Sequence, residues 1–268
     1  MIAAADAWRT RDLSVLWHPC TQMREHPDIL PLVPIERGEG AWLVGRDGMR
    51  YLDAVSSWWT NLFGHAEPRI AHAIASQAMT LEQVILAGFS HQPAVELAEK
   101  LLAIAPCEEN RAPLAKVFYA DNGSAGVEVA LKMAFHGFRN RGEDRRSKFV
   151  ALGNGYHGET IGALSVGDDG FGADIFNALR FPVLRAPALD DPGCFDTAIA
   201  MIAAHASELA AVILEPSVQA AAGMQLARAG RKASMQRPWF GNAALGADDF
   251  ARGDEPWRIV GPVGTPHM

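Results

Sequence analysis

The fold prediction rests on one stretch, A-D-N-G-S-A-G-V-E-V-A-L-K-M-A at positions 120–134. Before it, the apolar residues 117–119 predict a short strand, and residues 121–124 have the composition of a tight turn. After the turn, apolar residues recur at helical spacing, and Glu128 and Lys132 form an i,i+4 pair on the expected solvent face. Strand, turn and helix together predict one β-to-α unit. The predicted core face consists of Val127, Leu131, Ala134, Phe135 and Phe138.

Further units of this kind follow along the chain. Residues 149–152 predict a strand and 153–160 a loop, and residues 198–209 predict a helix before the apolar strand 211–214. Such alternation indicates an α/β domain with a mainly parallel sheet. Glu215 comes directly after the last of these strands.

The N-terminal part shows a different pattern. Residues 33–55 predict short strands with turns, and Asp47-Gly48 between apolar runs indicates a hairpin. Apolar spacing predicts helices over residues 68–86 and 93–105.

Composition limits the class of protein. The chain has 268 residues, of which 49% are hydrophobic and 21% charged, as expected for a globular protein. Its net charge of −7 argues against nucleic-acid binding. The three cysteines, Cys20, Cys107 and Cys194, are far apart and suggest neither a disulfide framework nor a zinc site, so we expect no metal. With no export signal and no membrane-spanning stretch recognised, we expect a cytoplasmic protein.

Two glycine-containing turns are candidate ligand sites. Gly123 and Ser124 lie where a helix N-terminus offers free N–H groups and a hydroxyl to a phosphate, although an ordinary turn with Ser124 as N-cap explains the same residues. In the second turn, Tyr156 offers a ring to a planar ligand and His157 a proton-transfer group, or both anchor a loop.

Three further segments contain residues with possible chemistry. In a strand, Trp58 and Trp59 would face opposite sides, and we expect Trp59 to pack in the core and Trp58 to face elsewhere. Glu215 lies at the carboxyl end of a strand, where open α/β sheets bind ligands, although a solvent-facing carboxylate is an equal alternative. Cys20 fits a structural thiol better than a nucleophile, because no neighbouring base is visible.

Taken together, the motifs resemble the class III, fold-type I aminotransferases, which use pyridoxal phosphate. The similarity covers residues 13–225, and the W-H-P start and S-S-W-W pair resemble the branch of this family in biotin biosynthesis. It rests on five segments: L-W-H-P-C-T-Q-M (16–23), L-D-A-V-S-S-W-W (52–59), 120–134, G-N-G-Y-H-G-E-T (153–160) and A-A-V-I-L-E-P-S-V-Q-A-A-A-G-M (210–224).

The resemblance implies roles for individual residues. Gly123 and Ser124 match the family's phosphate cup. Tyr156 matches the residue that stacks on the pyridine ring and contacts the substrate. Its neighbour His157 is assigned to the cofactor site. Glu215 matches an acidic residue near the cofactor, and Trp58 matches a tryptophan that contacts the substrate. Cys20 occupies the position where some relatives have a substrate-recognising tyrosine.

The resemblance also implies a reaction and partners. In the biotin branch an amino group moves from S-adenosylmethionine to 8-amino-7-oxononanoate to give 7,8-diaminononanoate, and the subunits form homodimers. Alternatives are another class III ω-aminotransferase, which the S-S-W-W pair argues against, or a non-catalytic fragment that binds an aminotransferase subunit.

The family pattern ends near residue 225. The Asp that pairs the pyridinium nitrogen and the Lys that carries the Schiff base are not recognised, and no catalytic role is assigned to any of the five lysines. We therefore expect a truncated, inactive or nearly inactive chain whose last residues derive from a shifted reading frame. The predicted organisation is an N-terminal segment (1–60), a partial large domain with an incomplete sheet (61–225) and an irregular tail (226–268).

Overall fold

A computed structural model of the chain describes residues 2–105, 113–168, 173–215 and 217–227. Its contacts divide the chain into two compact units, Met1–His91 and Gln92–Met268. The predicted three segments remain a prediction, and nearly all of the predicted tail lies outside the described residues.

The first unit contains a small antiparallel sheet. Strands β1 (Ile35–Glu39), β2 (Trp42–Gly45) and β3 (Arg50–Leu52) lie in the order β1-β2-β3. Gly48 forms the β2–β3 turn with a φ of +83°, which glycine adopts without steric cost, so the predicted hairpin is confirmed. The unit also contains helices α1 (Ile2–Val15), α2 (His26–Ile29) and α4 (Pro68–Thr80), and the short turn α3 (Ser56–Trp59).

Helix α4 is shorter than the sequence predicts. Pro68 occupies its first turn, and the side chain of Glu67 accepts a hydrogen bond from the N–H of Arg69. The helix ends before Leu81, whose backbone is extended. It contains no buried residue, so apolar side chains such as Ile74 face solvent.

The second unit is an α/β domain. Its helices are α5 (Gln92–Ile104), α6 (Gly123–Asn140), α7 (Ile161–Val166) and α8 (Cys194–Ala204), with a 3₁₀ helix over Ala173–Leu179. Its strands are β4 (Lys148–Leu152), β5 (Leu184–Ala186), β6 (Leu209–Ile213), β7 (Val218–Gln219) and β8 (Gln225–Leu226).

The main sheet has the order β5-β4-β6, and both pairings are parallel. Leu152 of β4 packs with Ala198 of α8, whereas Phe149 packs with Leu131 of α6 and Val166 of α7. Because side chains alternate along a strand, these clusters lie on opposite faces and the sheet is the middle layer of three. The predicted α/β domain with a parallel sheet is confirmed.

Three local predictions are wrong. Residues 117–119 belong to no strand, because in the described part of the chain no other strand pairs with them. The N-cap of α6 is Asn122 rather than Ser124, since the Asn122 side chain accepts from the N–H of Ala125 at 2.9 Å. Glu128 does not serve only the solvent face, because its carboxylate accepts the N–H of Gly162 at the start of α7 at 2.7 Å.

Candidate functional site

The turn before α6 and the loop after β4 meet at Ser124. The hydroxyl of Ser124 accepts a hydrogen bond from the N–H of Glu159 at 3.0 Å. Gly158 lies against the same serine with a φ of +122°, and a Cβ on Gly158 would overlap the Ser124 hydroxyl. The predicted phosphate-cup residue Ser124 and the Tyr156–Gly158 turn are therefore neighbours in space.

The start of α6 retains hydrogen-bond donors for an anion. Asn122 satisfies the N–H of Ala125 with its side chain and the N–H of Gly126 with its carbonyl. Among the described residues, the N–H groups of Gly123 and Ser124 have no acceptor. A Cβ on Gly123 would meet nothing within 4 Å, so the space above the turn is open. Because Ser124 accepts from Glu159, its own hydroxyl proton is free to donate. These donors fit a phosphate.

Tyr156 and Glu215 are joined through the backbone. One carboxylate oxygen of Glu215 accepts the N–H of Tyr156 at 3.1 Å, and the other accepts the N–H of Ala220 at 3.3 Å. Burial raises the pKa of Glu215, whereas the two N–H donors act in the opposite direction. The Tyr156 residue, with its phenol ring, is 40% exposed. Glu215 fixes the loop that carries this ring.

Gln219 is a supporting residue that the sequence did not reveal. It is completely buried in β7, donates to the carbonyl of Gly153 at 2.6 Å and accepts from the N–H of Leu189 at 3.2 Å. It therefore ties the start of the 153–160 loop to the segment after β5. A single glutamine in an alanine-rich stretch has no pattern that predicts this contact.

His157 is held in its neutral form. Burial and the Arg185 guanidinium lower the pKa of His157 to about 4. In the described part of the chain, its buried Nε2 has no hydrogen-bond partner. This atom is therefore available to a group outside the described residues.

None of the four described lysines forms a hydrogen bond or ion pair with the described residues of the cup. Lys148 begins β4, at the opposite end from the 153–160 loop, and its Nζ contacts Glu208 at 2.8 Å. Lys132 is exposed on α6, eight residues after Ser124, which is about 12 Å along a helix. Lys100 and Lys116 are exposed, and Lys232 lies outside the described residues. The absence of a catalytic lysine stays a prediction.

Cys20 and Trp58 belong to the first unit. Cys20 is an exposed free thiol. Trp58 is 74% exposed and Trp59 is 50% exposed, so the expectation that Trp59 packs in the core is wrong. The two tryptophans do not lie in a strand, because residues 56–59 form a hydrogen-bonded turn with φ between +47° and +68°. A left-handed helical backbone costs about 1–2 kcal/mol per residue, so the surroundings must hold this turn in place.

Two other features are absent from the described residues. No group of three or more His, Cys, Asp or Glu side chains there is placed to hold a metal ion. Of the helices described, none is long and apolar enough to cross a membrane.

Comparison with known proteins gives the family. The pattern of the family described as "Aminotransferase class-III" matches residues 22–236. The chain belongs to the class III aminotransferases. This family uses pyridoxal phosphate, and the donors around Gly123 and Ser124 fit its phosphate.

Individual class III relatives carry the name adenosylmethionine-8-amino-7-oxononanoate aminotransferase. The protein of that name from Synechococcus elongatus is 45% identical over 222 residues, which are 80% of this chain and 50% of the relative. The one from Helicobacter pylori is 46% identical over 158 residues, covering 59% of this chain and 34% of the relative. The chain spans about half or less of the length of the curated relatives it matches.

Solved structures of an aminotransferase and a transaminase confirm the fold. The crystal structure of adenosylmethionine-8-amino-7-oxononanoate aminotransferase from Methanocaldococcus jannaschii superposes with a TM-score of 0.79 at 38% identity, covering 86% of this chain and 51% of that one. A transaminase from the marine bacterium Virgibacillus gives 0.73 at 26% identity, covering 83% and 50%. The predicted fold-type I large domain is thus confirmed.

Proposed function

We propose that this chain supplies the cofactor cup of an aminotransferase that moves an amino group from S-adenosylmethionine to 8-amino-7-oxononanoate in biotin biosynthesis. The proposal rests on the Ser124 hydroxyl, which lies beside the free N–H groups at the start of α6. Gly158 lies directly against this serine. The choice of substrates is supported by relatives named for this reaction at 38–46% identity.

Each residue of the cup has a proposed task. The N–H groups of Gly123 and Ser124 and the Ser124 hydroxyl hold the phosphate of pyridoxal phosphate. Tyr156 would supply an aromatic ring to the pyridine ring of the cofactor, and Glu215 positions the Tyr156 backbone through its hydrogen bond from the Tyr156 N–H. When bound, the cofactor supplies an electron-withdrawing ring for proton removal next to nitrogen.

His157 and Glu215 act on the surroundings of the ring. Neutral His157 offers Nε2 as one donor or acceptor without bringing a positive charge to the site. Glu215 uses both carboxylate oxygens on backbone N–H groups, so we assign it to positioning rather than to proton transfer.

The substrate side and the assembly belong to the same proposal. Trp58 offers an exposed indole to the substrate, and Cys20 occupies the position where some relatives have a substrate-recognising tyrosine. Homodimer formation in the cytoplasm follows from the same resemblance. Because no lysine is assigned to bind the cofactor covalently, we expect reversible cofactor binding by this chain and no turnover without a lysine from elsewhere.

The test is a pyridoxal phosphate titration of the full chain, followed by the cofactor's absorbance. We expect saturable binding that dialysis reverses and that Ser124→Ala weakens about tenfold. Ser76→Ala, at an exposed serine on α4, is the matched control and should bind like the original chain. Equal affinities in all three proteins would overturn the phosphate assignment.

Borohydride reduction separates the two remaining outcomes. Cofactor that washes out after reduction agrees with the absence of a covalent lysine. Cofactor fixed by reduction would show that one of the lysines binds it, and peptide mass mapping would identify which. In that case, incubation with S-adenosylmethionine and 8-amino-7-oxononanoate should yield 7,8-diaminononanoate, whereas product from an unrelated ω-amino acid alone would contradict the proposed substrates.

A further inference from the structure

The carboxylate of Asp53 is the centre of a hydrogen-bond network under the α3 turn. One oxygen accepts the N–H of Ser57 at 2.9 Å, and the other accepts the Ser57 hydroxyl at 2.7 Å. The second oxygen also contacts Nε2 of His65 at 2.7 Å. The Asp53 side chain is only 6% exposed. Among the described residues, every hydrogen bond to this side-chain carboxylate thus comes from the turn or from His65.

His65 joins this network to the sheet. Its backbone N–H donates to the carbonyl of Gly40 at 2.7 Å, and its carbonyl accepts the N–H of Gly40 at 3.1 Å. A Cβ on Gly38 of β1 would lie 2.5 Å from the His65 Cβ, so the imidazole is pressed against the strand. Nδ1 of His65 also lies 3.3 Å from the side-chain nitrogen of Asn61. The position of His65 is therefore fixed from three sides.

The turn itself needs such support. Ser56, Ser57, Trp58 and Trp59 all have positive φ, between +47° and +68°. None is a glycine, and the left-handed form is unfavourable for each. The N–H of Trp59 reaches the carbonyl of Val55 at 2.8 Å, and that of Thr60 reaches Ser56 at 2.9 Å. These bonds alone would also suit the right-handed form.

The handedness of the turn decides where Trp58 points. Reversing φ and ψ at residue 58 turns its Cβ to the other side of the backbone. In the observed form the indole is 74% exposed instead of packed against its own unit.

We infer that Asp53 and His65 are positioning residues that hold the Ser56–Trp59 turn in its left-handed form and thereby fix the direction of the Trp58 indole. The network runs from β1 through His65 and Asp53 to Ser57. Two hydrogen bonds from one residue to one carboxylate fix both the backbone and the side chain of Ser57. Hydrogen bonds from Ser57 also lower the pKa of Asp53, which keeps the acceptor ionised at neutral pH. That the position of the Trp58 indole affects substrate binding rests on the proposed function. That Asp53 and His65 position the indole does not.

The test is ¹⁹F NMR of the full chain labelled with 5-fluorotryptophan. Trp58→Phe and Trp59→Phe assign the two resonances. We expect Asp53→Ala and His65→Ala to displace the Trp58 resonance by more than its linewidth while a resonance such as that of Trp8 stays in place. Asp28→Asn and His72→Gln change exposed residues of the same types and should move neither.

A glycine rescue distinguishes positioning from general stability. Glycine adopts positive φ without the Cβ penalty, so Ser57→Gly in the Asp53→Ala background should return the Trp58 resonance toward its original position. If Asp53→Ala does not fold, Asp53→Asn keeps the shape and loses the charge, and the same displacement is expected. An unmoved Trp58 resonance in a folded Asp53 variant, or a displacement that Ser57→Gly does not reverse, would overturn the inference.

A second measurement tests the link to substrate. Titration of the original chain with 8-amino-7-oxononanoate should move the Trp58 resonance, and His65→Ala should weaken this response about tenfold or more. No response in the original chain would contradict the proposed substrate contact. The displacements of the Trp58 resonance in the ligand-free Asp53 and His65 variants would still test whether these two residues position the indole.

Discussion

Gly158 lies so close to Ser124 that the place of a Cβ on the glycine is already occupied by the serine hydroxyl. This contact brings the loop after β4 to the first turn of α6. The cup therefore depends on a residue with no side chain as much as on the hydroxyl.

Gly158→Ala should open the cup. The added Cβ would push against Ser124 and would also impose a positive φ on alanine, and we expect a loss of about 2–4 kcal/mol in the free energy of unfolding. Urea denaturation measures this loss. Gly142→Ala is the matched control, since Gly142 also has positive φ, at +75°, but open space around it, so only the backbone cost of about 1 kcal/mol should appear. Equal losses in both variants would contradict the contact.

Ser124→Ala should separate stability from binding. The lost hydrogen bond to the N–H of Glu159 is exposed, so unfolding free energy should fall by only about 0.5–1.5 kcal/mol. Phosphate affinity should fall more steeply, because a donor to the anion disappears. Inorganic phosphate titrated into the chain in competition with pyridoxal phosphate measures the second effect. A variant that loses stability but keeps phosphate affinity would remove Ser124 from the cup.

Glu215→Gln should change the pH dependence of stability. The pKa of Glu215 is raised above its ordinary value of 4.5 by burial, so the folded chain holds this proton more tightly than the unfolded chain. The stabilising effect of the protonated form is complete below the unfolded pKa and is lost as pH rises through the folded pKa. Relative to Glu215→Gln, the original chain should therefore become less stable between pH 4.5 and the raised pKa, then level off. Urea denaturation across this pH range measures the free energy of unfolding of both proteins. An increase in the stability of the original chain relative to Glu215→Gln as pH rises would contradict the prediction.

Gln219→Leu should destabilise the second unit. The substitution leaves the buried N–H of Leu189 and the half-buried carbonyl of Gly153 without these partners, and we expect a loss of about 2–4 kcal/mol. Thermal and urea denaturation measure it. Gln22→Leu, at an exposed glutamine, should change stability by less than about 0.5 kcal/mol. Similar values for the two variants would show that the Gln219 contacts contribute nothing.

Sequence patterns predicted the elements whose stabilising contacts are local or repetitive. Helix α6 and strand β4 were predicted because most of their apolar spacing matches the faces they bury, although Phe135, predicted in the core face of α6, is 38% exposed. Residues 117–119 have strand composition, but a strand also needs a hydrogen-bonded neighbour, and composition does not supply one. The N-cap of α6 was misplaced by two residues, because Asn122 and Ser124 are both good capping residues and only the backbone geometry chooses between them.

The candidate site likewise contains residues that sequence motifs predicted and residues that they did not. Ser124, Tyr156 and Glu215 were selected from motifs, and the structure brings them into one hydrogen-bonded region of the second unit. Their supports, Gln219 and Gly158, act through single long-range contacts that leave no periodic trace in the sequence. The left-handed turn at Trp58 was not predicted, because its conformation depends on Asp53 and on His65, which lies twelve residues after Asp53.

Helix α4, with its row of solvent-facing apolar side chains, has a practical consequence for handling the protein. Ile70 is 44% exposed and Ile74 is 64% exposed on successive turns of the helix. Surfaces of this kind promote self-association and attract chaperones that retain incompletely assembled chains. The yield of unaggregated protein from cells should therefore indicate whether a partner surface covers this helix, before any enzyme assay is made.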